Sequence, residues 1–383
     1  MYANSALVER PWQYVEQLVV DLPSERLNTN VMQRAWSDLA KAHPALRTII
    51  VDNGTQGIEQ KITLSTHVII PEHDWETIPR PTAEARFERF LNADREAGID
   101  ATHEVPFRVT IFHFGQNHSK LVWTFPHSLL DGASFAPLLD EVFRRYQENS
   151  PRIPADVKPV SSNEHIFKSH CNALAAMSHD AGEAHFAEAL QGWSGNEGLV
   201  QASVEPTRKS ELLAFAKRAG VSPTTVILAG WGTVLARVSG QNDVVFGNTR
   251  NGRRLVKGAQ NAAGCFITSV PVRVRLSPTL TVGQLLQNTH QEHVNAHPFE
   301  FTPPANIARR LDLPPSKPIF ETIAMCDHKT IHARLKEKNV AWADRKVELL
   351  EEGHTAVSVA VYFDTRTRIV LEYDPSQVPL GHT

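Results

Sequence analysis

The segment WTFPHSLLDGASF, residues 123–135, decides the fold because a strand pattern changes to a helix pattern within it. Trp123 and Phe125 alternate as in a half-buried strand, and from Phe135 onward apolar residues recur at helical spacing. His127 and Asp131 lie between the two patterns. Because α/β proteins commonly place their chemistry in loops at strand ends, this loop is the first candidate site.

The residues of this loop have complementary chemistry. Histidine can move a proton near neutral pH, so His127 is a candidate general base. Asp131, four residues on, can turn inward and hold the loop, and Gly132 allows a tight backbone path where the helix begins. The same residues also fit a packed or solvent-facing histidine beside an ordinary helix start, so the pattern needs support from the rest of the chain.

Composition excludes several classes of protein. The chain has 383 residues, 42% hydrophobic and 21% charged, with a net charge of −3. This is globular composition, long enough for two domains, without the basic excess that nucleic-acid binding requires. No secretory signal is visible, and the most apolar run, residues 226–236, is too short to span a bilayer. The three cysteines show neither zinc spacing nor a disulfide framework. We therefore expect a soluble, cytoplasmic monomer without a bound metal.

The organisation along the chain suggests two lobes. A proline- and serine-rich stretch predicts a linker at 151–163 between an N-terminal lobe, 1–150, and a C-terminal lobe, 164–383. Several segments have clear helical or extended periodicity. The predicted helices are 31–40, 223–238 and 281–296, and the predicted strands include 107–114, 120–126, 243–250, 265–276 and a hairpin at 357–374. Pro271 predicts that its strand lies at a sheet edge or carries a bulge.

Five short sequences along the chain form one recognisable series. They are AHPALRT (42–48), the His-x-x-x-Asp-Gly loop (127–132), VVFGNTRNGR (244–253), GCFITSVPVR (264–273) and PFE (298–300). In this order they resemble the condensation domains of nonribosomal peptide synthetases, within the wider HxxxDG acyltransferase superfamily. The amino-acid sequence from Gly264 to Arg275 resembles the fungal branch of this family in particular.

This resemblance implies a fold and a set of roles. The fold is an α/β (α+β) pseudo-dimer of two chloramphenicol-acetyltransferase-like lobes with a tunnel between them. His127 is the general base, Asp131 pairs with Arg253 of the second lobe, and Gly132 shapes the backbone of the loop. The hydroxyls of Thr268 or Ser269, or backbone N–H groups near Gly132, are candidate oxyanion donors.

The resemblance also implies the substrates. The donor is an acyl thioester, carried as acyl-phosphopantetheine on a carrier protein or as acyl-CoA, and the acceptor is a small amine or alcohol. No permanently bound cofactor is expected, since no glycine-rich nucleotide loop is present. The expected role is an acyltransferase of secondary metabolism that forms an amide or ester bond.

Some residues depart from the family pattern. Pro126 stands where the family has the first histidine of a pair, and Thr268 stands where it has asparagine. The family's first landmark and its final helix, beyond Asp374, are not recognisable. These departures keep one rival open, a non-catalytic binding module. A second rival is a CoA-dependent O-acyltransferase of small alcohols, which is less favoured because the Asp-Phe-Gly-Trp-Gly motif of that family is absent. His293 and His297, four apart, are expected on a solvated helix face rather than as metal ligands.

Overall fold

The computed structural model describes most of the chain. The described residues are 14–53, 58–100, 102, 105–115, 117–148, 164–193, 209–314, 318–327, 330–338, 342, 345–351, 356–363 and 367–373. The predicted linker at 151–163 lies outside them, as does the region beyond Asp374.

The chain forms two compact units, each assembled from separate stretches of sequence. Unit 1 comprises Met1–Ala173, Arg253–Phe266 and Ile331–Glu352, and unit 2 comprises Leu174–Gly252, Ile267–Thr330 and Gly353–Thr383. The predicted boundaries at 150 and 164 differ from this division. Three segments of the predicted C-terminal lobe belong to unit 1: residues 164–173, Arg253–Phe266 and Ile331–Glu352. The second contacts the His127 loop, and the third adds a strand to the sheet.

The described helices and strands follow one another in a mixed order. The helices are α1 (Thr29–Ala42), α2 (Arg80–Glu96), α3 (Gly132–Glu148), α4 (Glu164–Ala175), α5 (Asp180–Ala189), α6 (Lys209–Ala219), α7 (Pro223–Ser239), α8 (Val282–Asn295), α9 (Pro304–Arg310) and α10 (Ile331–Lys338). The strands are β1 (Val15–Leu22), β2 (Thr48–Asp52), β3 (Ile58–Ile62), β4 (Glu72–Asp74), β5 (Arg108–Gly115), β6 (His118–Pro126), β7 (Asp243–Asn251), β8 (Ile267–Arg275), β9 (Thr322–Asp327), β10 (Lys346–Leu350), β11 (Val357–Phe363) and β12 (Thr367–Tyr373).

Unit 1 is built on a five-stranded sheet in the order β10-β1-β6-β5-β4. β1 is antiparallel to both β10 and β6, with Gln17 opposite Leu350 and Leu18 opposite Trp123. Leu18, Trp123 and residues of α1 and α3 share one buried cluster, while Val19 and α2 contribute to another. The alternation of side chains along β1 therefore sends its even-numbered residues to the α1 and α3 side.

Unit 2 contains a second five-stranded mixed sheet in the order β12-β11-β9-β7-β8. β9 is parallel to both β7 and β11, and the other pairs are antiparallel. α7 packs on this sheet, and its Leu228 and Leu235 share a buried cluster with Phe246 of β7. Two mixed sheets with helices confirm the predicted α/β class.

Local signals placed most of the predicted elements correctly. Asn28 caps α1 by accepting from Val31 N–H, and Ser222 caps α7 by accepting from Thr225 N–H. α8 begins with a capping box between Thr281 and Gln284. The strand that contains Pro271 lies at the edge of its sheet, as proline requires.

Among the described residues, no single helix is long and apolar enough to cross a membrane. α6 and α7 reach that length and composition only as a pair, and they are bent by 95° at the break between them.

Candidate active site

The candidate loop is hydrogen-bonded to the end of β6 and to the residue before β1. β6 ends at Pro126 and α3 begins at Gly132, so residues 127–131 connect the sheet to a core helix. His127 N–H donates to the Tyr14 carbonyl at 2.7 Å, and Leu129 N–H donates to the Pro126 carbonyl at 3.1 Å. The backbone that carries the imidazole is therefore fixed to β6 and to the residue that precedes β1.

The His127 ring has one nitrogen engaged and one near a carboxylate. Nδ1 lies 2.6 Å from the Leu130 carbonyl oxygen, which can only accept, so Nδ1 carries the proton and Nε2 the lone pair in the neutral ring. Nε2 lies 3.4 Å from Oε1 of Glu16, and 19% of the His127 side chain is exposed. A ring held this way can accept a proton at Nε2 without giving up its bond to the loop.

Asp131 directs its carboxylate away from solvent and into a hydrogen-bond network. The residue is 1% exposed. Its Oδ1 accepts from the backbone N–H and hydroxyl of Ser134 at 3.2 and 3.0 Å, and its Oδ2 accepts from Phe266 N–H at 2.9 Å. Arg253 also donates to Oδ1. Both carboxylate oxygens are therefore used to hold protein groups.

Arg253 completes this network from a distant part of the chain. Its Nη1 donates to the carbonyl of Ala259 at 2.7 Å, and its Nη2 donates to Ser134 Oγ at 2.9 Å. The guanidinium also lies over the Phe266 ring, 4.4 Å from its centroid. The side chains of Arg253 and Asp131 are 4% and 1% exposed, so the pair is a buried ion pair with hydrogen bonds on both sides.

The location of Arg253 differs from the prediction. It was expected in the second lobe, but the segment Arg253–Phe266 belongs to unit 1. The reason is that this segment contacts the loop by backbone as well as side chain, since Asp131 N–H donates to the Gly264 carbonyl at 3.2 Å. The contact that holds the His127 loop is therefore internal to unit 1.

His170 lies beside the same network. Its ring centroid is 4.6 Å from that of Phe266. Burial lowers the pKa of His170, and the charge of Arg253 lowers it further. His170 is thus a neutral packing group against the ring that covers Arg253.

The structure gives no steric reason for a glycine at position 132, so its role in shaping the loop stays a prediction. It is the first residue of α3, its backbone is outside the left-handed region, and a Cβ built on it would have no described atom within 4 Å. Neither backbone conformation nor close packing requires glycine here.

Thr268 and Ser269, the predicted oxyanion donors, lie in β8 of unit 2, opposite Arg250 and Thr249 in the ladder with β7. Their role stays a prediction. So does the tunnel expected from the family resemblance.

Glu16 is a candidate site residue that the sequence analysis did not identify. It is 2% exposed and lies on β1, a strand that was not predicted. A signal was present, since Glu16, Leu18, Val20 and Leu22 occupy alternate positions of VEQLVVDL, so the carboxylate falls on the buried face.

One of the two histidines predicted on a solvated helix face, His293 of α8, differs from that expectation, whereas His297 lies two residues beyond the helix and is exposed. His293 was expected to be solvated, but its Nε2 lies 3.0 Å from Nη1 of Arg250, a residue that is itself 7% exposed. Burial, followed by the charge of Arg250, lowers the pKa of His293 to about 3. His297 is 54% exposed and lies 3.5 Å from Glu300. Within the described ranges, no cluster of histidine, cysteine, aspartate or glutamate residues has the arrangement of a metal site.

Comparison with known proteins places the chain in a family. The condensation domain family model matches residues 1–193 and 185–362, that is, nearly the whole chain. The chain therefore belongs to the condensation domain family. The predicted resemblance to this family is confirmed.

Relatives of known name are much longer than this chain. It is 26% identical over 345 residues to chondramide synthase cmdD of Chondromyces crocatus, and the aligned region covers 85% of this chain and 8% of the relative. It is 26% identical over 322 residues to peramine synthetase ppzA of Metarhizium majus, covering 80% of this chain and 11% of the relative. The chain thus spans a small fraction of the length of these relatives.

Solved structures with the same fold include condensation domains. The starter condensation domain of rhizomide synthetase, a variant in complex with C8-CoA, matches with a TM-score of 0.76 and 16% identity, covering 98% of this chain and 87% of that one. The first condensation domain of the calcium-dependent antibiotic synthetase, in complex with a substrate analogue, matches with a TM-score of 0.73 and 15% identity, covering 98% and 89%. At this identity the match establishes the fold.

Proposed function

We propose that the chain is a condensation-type acyltransferase. It forms an amide or ester bond between an acyl thioester donor and a small amine or alcohol acceptor, with His127 as general base. The observation that carries the proposal is the geometry of the His127 ring, in which Nδ1 is engaged by the Leu130 carbonyl and Nε2 is left to accept a proton. Membership of the condensation domain family supports the same reaction class.

The reaction follows from this geometry. As the acceptor nitrogen or oxygen attacks the thioester carbonyl, its proton passes to Nε2 of His127, and the C–S bond then breaks as the thiol leaves with a proton. Such proton transfer typically contributes 10²–10⁴-fold, at about 1.4 kcal/mol for each factor of ten. Asp131 and Arg253 contribute indirectly, because their buried pair holds the loop in place.

The donor is proposed from the family rather than from any contact in the site. One structural relative was solved with C8-CoA bound, which supports an acyl-CoA or the chemically equivalent acyl-phosphopantetheine of a carrier protein. The hydroxyls of Thr268 and Ser269 stay the proposed oxyanion donors. A cytoplasmic, monomeric enzyme stays a prediction.

The test measures thiol release from a panel of acyl-CoA and acyl-pantetheine thioesters, offered with mixed amines and alcohols. His127→Ala should slow acceptor-dependent release by about 10²–10⁴-fold. The rate should fall far more than the melting temperature, because the variant loses the hydrogen bond to Leu130 and the contact with Glu16 but keeps the backbone contacts of the loop. His297→Ala is the matched control, an exposed histidine outside the loop, and should leave the rate unchanged.

Other results would favour a different function. A parallel loss of rate and melting temperature in His127→Ala would indicate a packed histidine. Thioester binding without turnover in the wild type would favour a non-catalytic module, the rival that Pro126 motivates. Turnover restricted to acyl-CoA and alcohols would favour a small-molecule O-acyltransferase.

A further inference from the structure

We infer that Glu16 is a positioning residue for His127, whose buried carboxylate holds the imidazolium that forms when His127 takes up a proton. Its part in catalysis rests on the proposed function, whereas the ion pair itself does not. Nothing in the family pattern of the loop includes this residue, because Glu16 lies on β1, more than a hundred residues earlier in the chain.

The first observation is where the carboxylate is buried. Glu16 is 2% exposed and lies opposite Phe125 in the β1–β6 ladder. The next residues on its side of the strand, Leu18, Val20 and Leu22, all belong to the main apolar cluster of unit 1. Burying a carboxylate at the end of such a row is unfavourable unless a partner of opposite charge or a donor compensates for the lost water.

The second observation is the geometry of the partner. Oε1 of Glu16 lies 3.4 Å from Nε2 of His127, the nitrogen that is not engaged by the loop. The backbone of His127 is hydrogen-bonded to the chain just before Glu16. Tyr14, two residues before Glu16, has a φ of 66° and accepts a hydrogen bond from His127 N–H at 2.7 Å. The carboxylate is thus held beside the ring by the sheet.

Among the described residues, the carboxylate of the loop itself is engaged elsewhere. Asp131 is four residues from His127, but its carboxylate is bonded to Arg253, Ser134 and Phe266. Within the part of the chain that the structure describes, the charged group at ion-pair distance from the His127 ring is Glu16, which approaches from β1.

The chemical consequence concerns the charged form of the ring. As the acceptor attacks and a C–N or C–O bond forms, its proton moves to Nε2 and His127 becomes an imidazolium. When the C–S bond breaks, that proton leaves with the thiolate, and the ring is neutral again. The negative charge of Glu16 stabilises the imidazolium during the step in which charge develops.

The direct test measures the pH titration of His127 by NMR in protein with isotope-labelled histidine. The His127 resonance is assigned as the one that is missing in His127→Ala. Glu16→Gln keeps the shape and removes the charge. Its His127 midpoint should lie about one pH unit or more below that of the wild type. The control is Glu141→Gln, which disrupts another buried carboxylate–histidine pair of unit 1, to His43 at 2.8 Å. It should leave the His127 midpoint unchanged.

The second test is kinetic. Glu16→Gln should lower kcat by up to about tenfold, because one pH unit corresponds to a factor of ten and general-base catalysis transmits at most the whole of that change to the rate. KM should stay unchanged, and the melting temperature should not fall. Glu16→Asp keeps the charge but moves it away from the ring, so its His127 midpoint and its kcat should lie between those of the wild type and of Glu16→Gln. If Glu16→Gln does not fold, the comparison of Glu16→Asp with the wild type decides the question.

The possible results separate the two proposals. An unchanged His127 midpoint in Glu16→Gln and Glu16→Asp would overturn the inference. So would a loss of kcat that simply follows a loss of melting temperature. A wild type without transfer activity but with the expected shift in midpoint would overturn the proposed function and uphold the ion pair.

Discussion

The strongest expectation concerns the buried pair between Asp131 and Arg253. Asp131→Ala leaves a guanidinium that is 4% exposed without its carboxylate. Removing one partner of a buried ion pair costs about 3–5 kcal/mol, because the remaining charge stays in the interior. We therefore expect the free energy of unfolding of unit 1 to fall by about 3–5 kcal/mol, a large part of the stability of an ordinary domain.

The assay is urea denaturation followed by tryptophan fluorescence, since Trp36 and Trp123 are fully buried in unit 1. Asp74→Ala is the control. Its carboxylate is 50% exposed and pairs at 2.8 Å with Arg26, which is itself 34% exposed, so this change should cost no more than about 1 kcal/mol.

A double-mutant cycle tests the reasoning itself. Asp131→Ala combined with Arg253→Met removes both charges of the pair, so the double variant should lose less stability than the sum of the two single variants. The difference should be about 0.5–3 kcal/mol, the range for residues in one network. A loss below about 1 kcal/mol for Asp131→Ala, or strictly additive losses, would refute the claim that this pair holds the loop.

Two further expectations follow from the structure. Gly132→Ala should leave the melting temperature unchanged, because the added Cβ would meet open space. Gly264→Ala should lower the melting temperature, because the added Cβ would lie 2.6 Å from the Phe266 ring. Equal effects of the two substitutions would contradict this reasoning. The pKa of His293 falls to about 3 on folding, so between about pH 6.5 and pH 3 the unfolded chain binds a proton at this residue and the folded chain does not. The contribution of neutral His293 to stability is therefore complete above about pH 6.5 and is lost as the pH falls toward about 3. His293→Gln should weaken this acid dependence of the urea midpoint, and an unchanged dependence would exclude His293 as its source.

What could be predicted from the sequence was local. Asn28 and Ser222 marked the helix starts, and the alternation of Trp123 and Phe125 marked a strand, because caps and periodicity act over a few residues. The family landmarks also identified Asp131 and Arg253 as a pair that the structure brings together.

The remaining features depend on long-range packing. β10 joins β1 from more than three hundred residues away, and no local pattern in KVELL indicates that partner. Glu16 could be placed on a buried face by alternation, but only the fold brings that face next to Nε2 of His127. For the same reason the sequence could not assign Arg253 to unit 1.

The position of β1 between β6 and β10 has a consequence for synthesis of the chain. β6 can pair with β1 early, but the other edge of β1 lacks its partner until Lys346–Leu350 has been made. At about 5–20 residues per second, the roughly 220 residues between β6 and β10 take about 10–45 s to synthesise. For that interval the nascent protein carries an open sheet edge next to apolar residues, which chaperones can bind and through which chains can aggregate.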